Sequence, residues 1–140
     1  MNSIFQSVKR SKWIFLSAGF LFTAICGTVC LQAQNVNPGK TVTQEKFQRL
    51  MKKKKSVVLD VRTVEEYKDG HVPGARQIDV MKNDEFKNQV ATLDKNKTYL
   101  LYCRSGKRSQ AAMKLMKEMG FTKLYDLSGG FSGWTGEKEL

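Results

Sequence analysis

The chain has 140 residues, 41% hydrophobic and 26% charged, with a formal net charge of +11. That length and balance support one small globular core and exclude a second. The positive excess points to anionic small molecules or surfaces as partners.

Lys9, Arg10 and Lys12 precede an uncharged run from Trp13 to Leu31. A basic stretch, an apolar stretch and a small residue after them form the pattern of a secretory signal, with Ala33 as the last residue removed. The run is 19 residues long, a length that also suits an uncleaved membrane anchor. The expectation is therefore export to the periplasm, with attachment to the membrane through residues 1–33 as the alternative. Cleavage takes away three positive and no negative charges, leaving +8 of the +11. It also removes Cys26 and Cys30, so that Cys103 stands alone and no internal disulfide forms. An unpaired cysteine in an oxidising compartment is either reactive or buried and inert.

Residues 34–40 read as a linker broken by Pro38-Gly39, and residues 41–140 as the domain. Thr43 caps a helix expected to run through Lys54, burying Phe47, Leu50 and Met51 on one face. The lysines 52–55 have no aromatic residues interleaved as stacking platforms, so they read as a solvated helix end and not as a nucleic-acid site. Ser56–Val61 is a continuous β-branched and apolar run, the pattern of a strand buried on both faces, and its end delivers Asp60 and Arg62 to the sheet edge. Thr63 with Glu66 makes a capping box for a short helix that Gly70 stops.

A Pro73-Gly74 turn leads to a strand at Gln77–Val80, a helix at Asn83–Leu93 and a second buried strand at Lys97–Cys103. Ala111, Ala112, Leu115, Met116 and Met119 then recur at helical spacing from Lys107 to Met119, and Gly120 closes the helix. Its methionines read as core filler and not as metal ligands. Lys123–Leu127 is a last strand, and after the turn Ser128–Gly130 a short helix or loop packs Phe131 and Trp134. Strands alternating with helices make an α/β domain with a mainly parallel central sheet flanked by helices, where ligands bind at the carboxyl ends of strands. Cys103 falls at one of those ends.

After Cys103 come Arg104, Ser105, Gly106, Lys107 and Arg108, with a helix starting inside the segment. Successive backbone N–H groups there can curl around the sulfur, and with the positive helix end they stabilise an anion at their centre. Gly106 permits the backbone angles this needs. Three cationic side chains within five residues also favour the thiolate, so a thiol pKa below the ordinary value is expected. The alternative is a plain strand-to-helix turn around an inert thiol.

The segments Leu59–Ala75, Tyr102–Ser109, Gly120-Phe121 and Leu127–Trp134, in this order and spacing, resemble the single-domain rhodaneses, a sulfurtransferase family. The resemblance covers roughly residues 41–136 and implies a rhodanese-like fold without metal or organic cofactor. It implies that Cys103 is the nucleophile that carries sulfane sulfur as a persulfide, with Arg104 to Arg108 as its cradle. Asp60 and Arg62 take supporting roles on this basis, Asp60 tying down the active-site loop and Arg62 placing anionic substrate. His71, the only histidine, reads as a structural residue of its turn. The implied partners are a small anionic sulfur donor, a thiophilic acceptor and a redox or sulfur-relay protein.

Two other activities share this chemistry. Cysteine phosphatases generally place five residues between cysteine and arginine, a ring wide enough for phosphate; here four intervene before Arg108 and Ser109 follows. Phosphatase and arsenate-reductase activities are thus minor alternatives, and a non-turnover sulfur carrier or binding module is the rival from another class.

Overall fold

The computed structural model describes residues 39–140; the segment read as signal or anchor, and the linker up to Pro38, lie outside the described residues. Among the described residues no helix is long and apolar enough to cross a membrane.

The two apolar runs at the centre of the chain pair with each other. β2 (Ser56–Asp60) and β4 (Thr98–Tyr102) run parallel, from Ser56 opposite Thr98 to Asp60 opposite Tyr102. β5 (Leu124–Leu127) joins the far side of β4, β3 (Arg76–Gln77) joins β2, and β1 (Lys40–Val42) pairs with β5 at the edge. The order is β1-β5-β4-β2-β3 and every pairing is parallel, as the alternation of strands and helices predicts.

Side chains on a strand alternate between faces, and the core divides accordingly. Leu59, Leu101 and Leu124 join Phe86 and Val90 of α3 (Asn83–Ala91) and Ala112 and Met116 of α4 (Lys107–Glu118). Val58, Leu100, Tyr102 and Leu127 join Phe47 and Leu50 of α1 (Gln44–Met51), with Trp134 covering them. Each such Leu or Phe, fully buried, contributes roughly 1.5–3 kcal/mol. Cys103 belongs to the layer beneath α4.

Several boundaries differ from expectation. α1 stops at Met51, and Lys52–Lys55 form turns closed by bonds from Lys53 N–H to Leu50 O and from Ser56 N–H to Lys53 O. Adjacent like charges gain nothing from helical stacking, and the chain must reverse there to enter β2. β3 holds only two residues, although the N–H groups of Ile78 and Val80 still reach the carbonyls of Asp60 and Val61. α3 ends at Ala91 and not at Leu93, and in α4 it is Met113 that is buried while Ala111 faces solvent. β1 is unforeseen and begins at Lys40, inside the stretch read as linker.

The capping box of α2 (Val64–Lys68) forms in full, with Thr63 Oγ1 accepting from Glu66 N–H and Glu66 Oε2 from Thr63 N–H. Gly70 follows with φ +128°. His71 stacks on Tyr67 at 3.7 Å between ring centroids, and its backbone exchanges two hydrogen bonds with Glu139. It fastens the C-terminal segment across the Pro73-Gly74 turn, as a structural residue does.

Candidate active site

Tyr102 ends β4 deep in the sheet, and the next residue, Cys103, is 1% exposed. The chain then rises through Arg104 and Ser105, both exposed, to Gly106. Gly106 has φ +103° and precedes α4 directly. This left-handed turn, which a side chain disfavours, points the Gly106 N–H back at the sulfur, 3.1 Å from Cys103 Sγ. Ser109, one turn into α4 and fully buried, brings its hydroxyl to 3.6 Å from Sγ.

Burial pushes the Cys103 thiol up, but the Ser109 hydroxyl and the backbone N–H groups of Ser109, Ser105 and Gly106 outweigh it and hold the pKa below the ordinary value. Backbone amides and one hydroxyl thus face the sulfur. Of the cationic side chains, Arg104 and Lys107 are exposed to solvent.

Arg108 binds Glu66 of α2, its two terminal nitrogens each 2.7 Å from a carboxylate oxygen, and it also lies close enough to Cys103 to feel a charge on the sulfur. The two-pronged bond holds Glu66 down at about 2. Glu66 thus caps α2 and clamps α4 with one carboxylate. Sequence spacing reveals the first of these roles and not the second, because Glu66 and Arg108 are 42 residues apart.

Asp60 and Arg62 form a buried pair. Arg62 Nε and Nη2 reach the Asp60 carboxylate at 2.9 and 2.6 Å, Nη2 also donates to Gly70 O at 2.8 Å, and the guanidinium lies 4.1 Å from the centre of the Phe131 ring. Burial opposes the charge on Arg62, and the Asp60 carboxylate more than restores it. The Asp60 carboxylate thus hydrogen-bonds Arg62, and among the described residues it makes no hydrogen bond to Cys103 or the residues after it. The ties on the loop come from elsewhere: Phe131 N–H donates to Cys103 O at 2.8 Å and Ser132 N–H to Arg104 O at 2.9 Å.

These bonds come from a 3₁₀ turn, Phe131–Gly133, entered through Gly130 at φ +59°. A Cβ on Gly130 would stand 2.6 Å from the carbonyl oxygens of both Cys103 and Arg104. The Gly129-Gly130 turn is thus a close approach of two backbones.

A shallow cavity of about 340 Å³ opens beside the loop, lined by Arg62, Glu66, Asp69, Arg104, Phe131 and Ser132. Arg62 therefore faces it from below while remaining paired. A larger hollow of about 570 Å³ between Gln48, Lys52, Pro73 and Trp134 has no cysteine in its lining, so size does not mark the site. Among the described residues no group of three His, Cys, Asp or Glu side chains is placed to hold a metal ion.

Two residues escape sequence reasoning, Ser109 at the sulfur and Asp126 behind it. Asp126, in β5, is fully buried, with Oδ1 2.5 Å from Ser109 Oγ and Oδ2 3.4 Å from Thr41 Oγ1. Its carboxylate lies directly behind the hydroxyl that faces the sulfur. The only local signal was an acidic residue inside an otherwise apolar strand.

Residues 43–137 match the model of the rhodanese-like domain. The chain belongs to this family. In this rhodanese-like domain a cysteine follows the central strand and a helix begins just behind it. Among curated relatives, the chain is 33% identical to the thiosulfate sulfurtransferase GlpE of Coxiella burnetii over 68% of its own length and 86% of that protein. It is 32% identical to the putative sulfur carrier protein YrkF of Bacillus subtilis, over 76% of its length and 57% of YrkF. Among solved structures, a rhodanese-like domain protein from Staphylococcus aureus superposes with a TM-score of 0.61 at 27% identity, covering 72% of this chain and 97% of the other.

Proposed function

We propose that this rhodanese-like protein is a sulfurtransferase that moves a sulfane sulfur through a persulfide on Cys103. The observation that carries the proposal is the convergence of the Gly106 N–H and the Ser109 hydroxyl on a buried sulfur whose ionisation they favour. Such a cradle stabilises an anion of one-atom width, first the thiolate and then the terminal sulfur of the persulfide. The thiolate attacks the outer sulfur of a donor such as thiosulfate, and the donor's S–S bond breaks with its electron pair leaving on sulfite. A thiophilic acceptor then attacks the outer sulfur of the persulfide, and Cys103 departs again as thiolate. The names of relatives such as GlpE support this reading.

The near-complete burial of Cys103 favours a small donor that presents one unhindered sulfur. Arg104 and Lys107 supply exposed positive charge for an anionic one. The pairing of Arg108 with Glu66 leaves that arginine less free to bind a phosphate's oxygens, which disfavours phosphatase and arsenate-reductase activities. As part of this proposal the protein is exported to the periplasm, where a redox or sulfur-relay protein would keep the thiol usable.

The second reading is a sulfur carrier that loads once and discharges to a protein partner; the shallow cavity encloses no small acceptor, and YrkF is named for such a role. Steady-state transfer from thiosulfate to cyanide, measured beside Cys103→Ser with intact masses after donor treatment, separates the two. Multiple turnovers and a Cys103-dependent gain of one sulfur are expected of the enzyme, and one loaded sulfur without turnover of the carrier. No loading at all would sink both.

A further inference from the structure

The Ser109 hydroxyl has one hydrogen and faces three acceptors: Gly106 O at 2.9 Å, Asp126 Oδ1 at 2.5 Å and Cys103 Sγ at 3.6 Å. Gly106 O is already satisfied by the N–H of Gln110 at 3.0 Å. Were Cys103 a thiolate and Asp126 a carboxylate, two buried anions would compete for that hydrogen, and one of them would lose its only hydroxyl donor on that side. Two like charges so close cannot both persist without a cation.

No cation is at hand for Asp126. The groups facing it are Thr41 of β1, Ser109 and Gln110 of α4 and the backbone at Gly106; among the described residues no lysine or arginine lies within 4 Å of its carboxylate. On the sulfur's side Arg108, though bound to Glu66, also faces Cys103, so a cation favours the charge on the sulfur and none favours it on Asp126. Burial pushes the Asp126 carboxyl up, and bonds from Ser109, Gln110 and Thr41 offset this only in part.

We propose that Asp126 is a positioning residue that holds the proton given up by Cys103, so that the reactive state is a thiolate backed by a neutral carboxylic acid. Ser109 relays the proton. Its O–H bond breaks toward Asp126 Oδ1 while its oxygen takes the hydrogen of the thiol, and the charge passes from the carboxylate to the sulfur. In the product state Asp126 Oδ1–H donates to Ser109, Ser109 donates to the sulfur, and Oδ2 accepts from Thr41. Every polar atom of the cluster is then satisfied with a single negative charge, which lies on the nucleophile. This deepens the sulfurtransferase reading and rests on Cys103 being its nucleophile.

The test uses the full chain with Cys26→Ser and Cys30→Ser, so that Cys103 alone is alkylated. Infrared difference spectra between this protein and its Asp126→Asn variant near neutral pH are expected to contain a carboxylic-acid C=O band that the variant lacks. An asparagine also donates to Ser109, so iodoacetamide alkylation about one pH unit below the midpoint should stay within about twofold, whereas Asp126→Ala should slow it about tenfold. If the Asp126 variants fail to fold, Ser109→Ala and Ser109→Thr serve: the first should slow alkylation and shift the band, and the second should restore both. Absence of the band, or alkylation about fivefold faster in Asp126→Asn, would overturn the proposal, because the residue would then be an anion that suppresses the thiolate. Failure of the sulfurtransferase reading appears separately, as no gain of sulfur mass with band and alkylation intact.

Discussion

Glu66 joins α2 and α4 at the site with a single carboxylate. Its value of about 2 lies below the ordinary glutamate value of 4.5, so its contribution to stability is complete above the ordinary range and is lost as pH falls toward about 2. Glu66→Gln is expected to lower the unfolding free energy by about 1–2 kcal/mol at neutral pH, a gap from wild type that closes as acid protonates the native carboxylate. Urea titrations across that pH range measure it. Residues at this scale were legible where their role is local. Cys103 with its following residues, and Thr63 with Glu66, announce themselves within a few positions. The partners of Arg108 and Ser109 do not, because Glu66 and Asp126 come to them from 42 and 17 residues away and only the fold closes those distances.

Gly130 limits how far the loop and the last turn can be separated or exchanged. At φ +59° and ψ −159° it occupies a region that side chains avoid, and its α-carbon lies against two carbonyl groups of the loop. Gly130→Ala is expected to cost about 2 kcal/mol or more and to displace the Cys103 cradle, so that the melting temperature and the alkylation rate fall together. A substitution at Gly74, whose added Cβ meets nothing within 4 Å, is the control for strain alone, since φ there is +70°. Most elements were legible because apolar runs and capping residues state their own period. β1 was not: Lys-Thr-Val is too short to carry an alternation, and only Val42 is buried. It is a strand because the edge of β5 is open to it. The lysines after Met51 misled in the opposite sense, since helix propensity continued where the route of the chain did not.

At the site two of the arginines are paired, Arg62 by Asp60 and Arg108 by Glu66. Exposed charges such as those of Arg104 and Lys107 beside the loop are left to meet an anionic donor, and exposed charges are screened. Raising salt from about 0.05 to about 0.5 M should therefore raise the KM for thiosulfate about threefold or more with kcat little changed, and Arg104→Ala should reproduce part of that rise at low salt. Steady-state kinetics at several ionic strengths decide it; a KM indifferent to salt would move recognition to the buried groups. The parallel sheet has a further consequence, in time and not in space. Lys40 pairs with Tyr125 and Val42 with Leu127, so the first strand of the domain finds its place only beside the last. A ribosome that has not yet delivered Leu124–Leu127 leaves Thr41 without its aspartate and the cysteine loop without Phe131. Folding must then wait for the end of the domain, with the slow closure that distant partners impose, and the thiol is first cradled in the same event that completes the sheet.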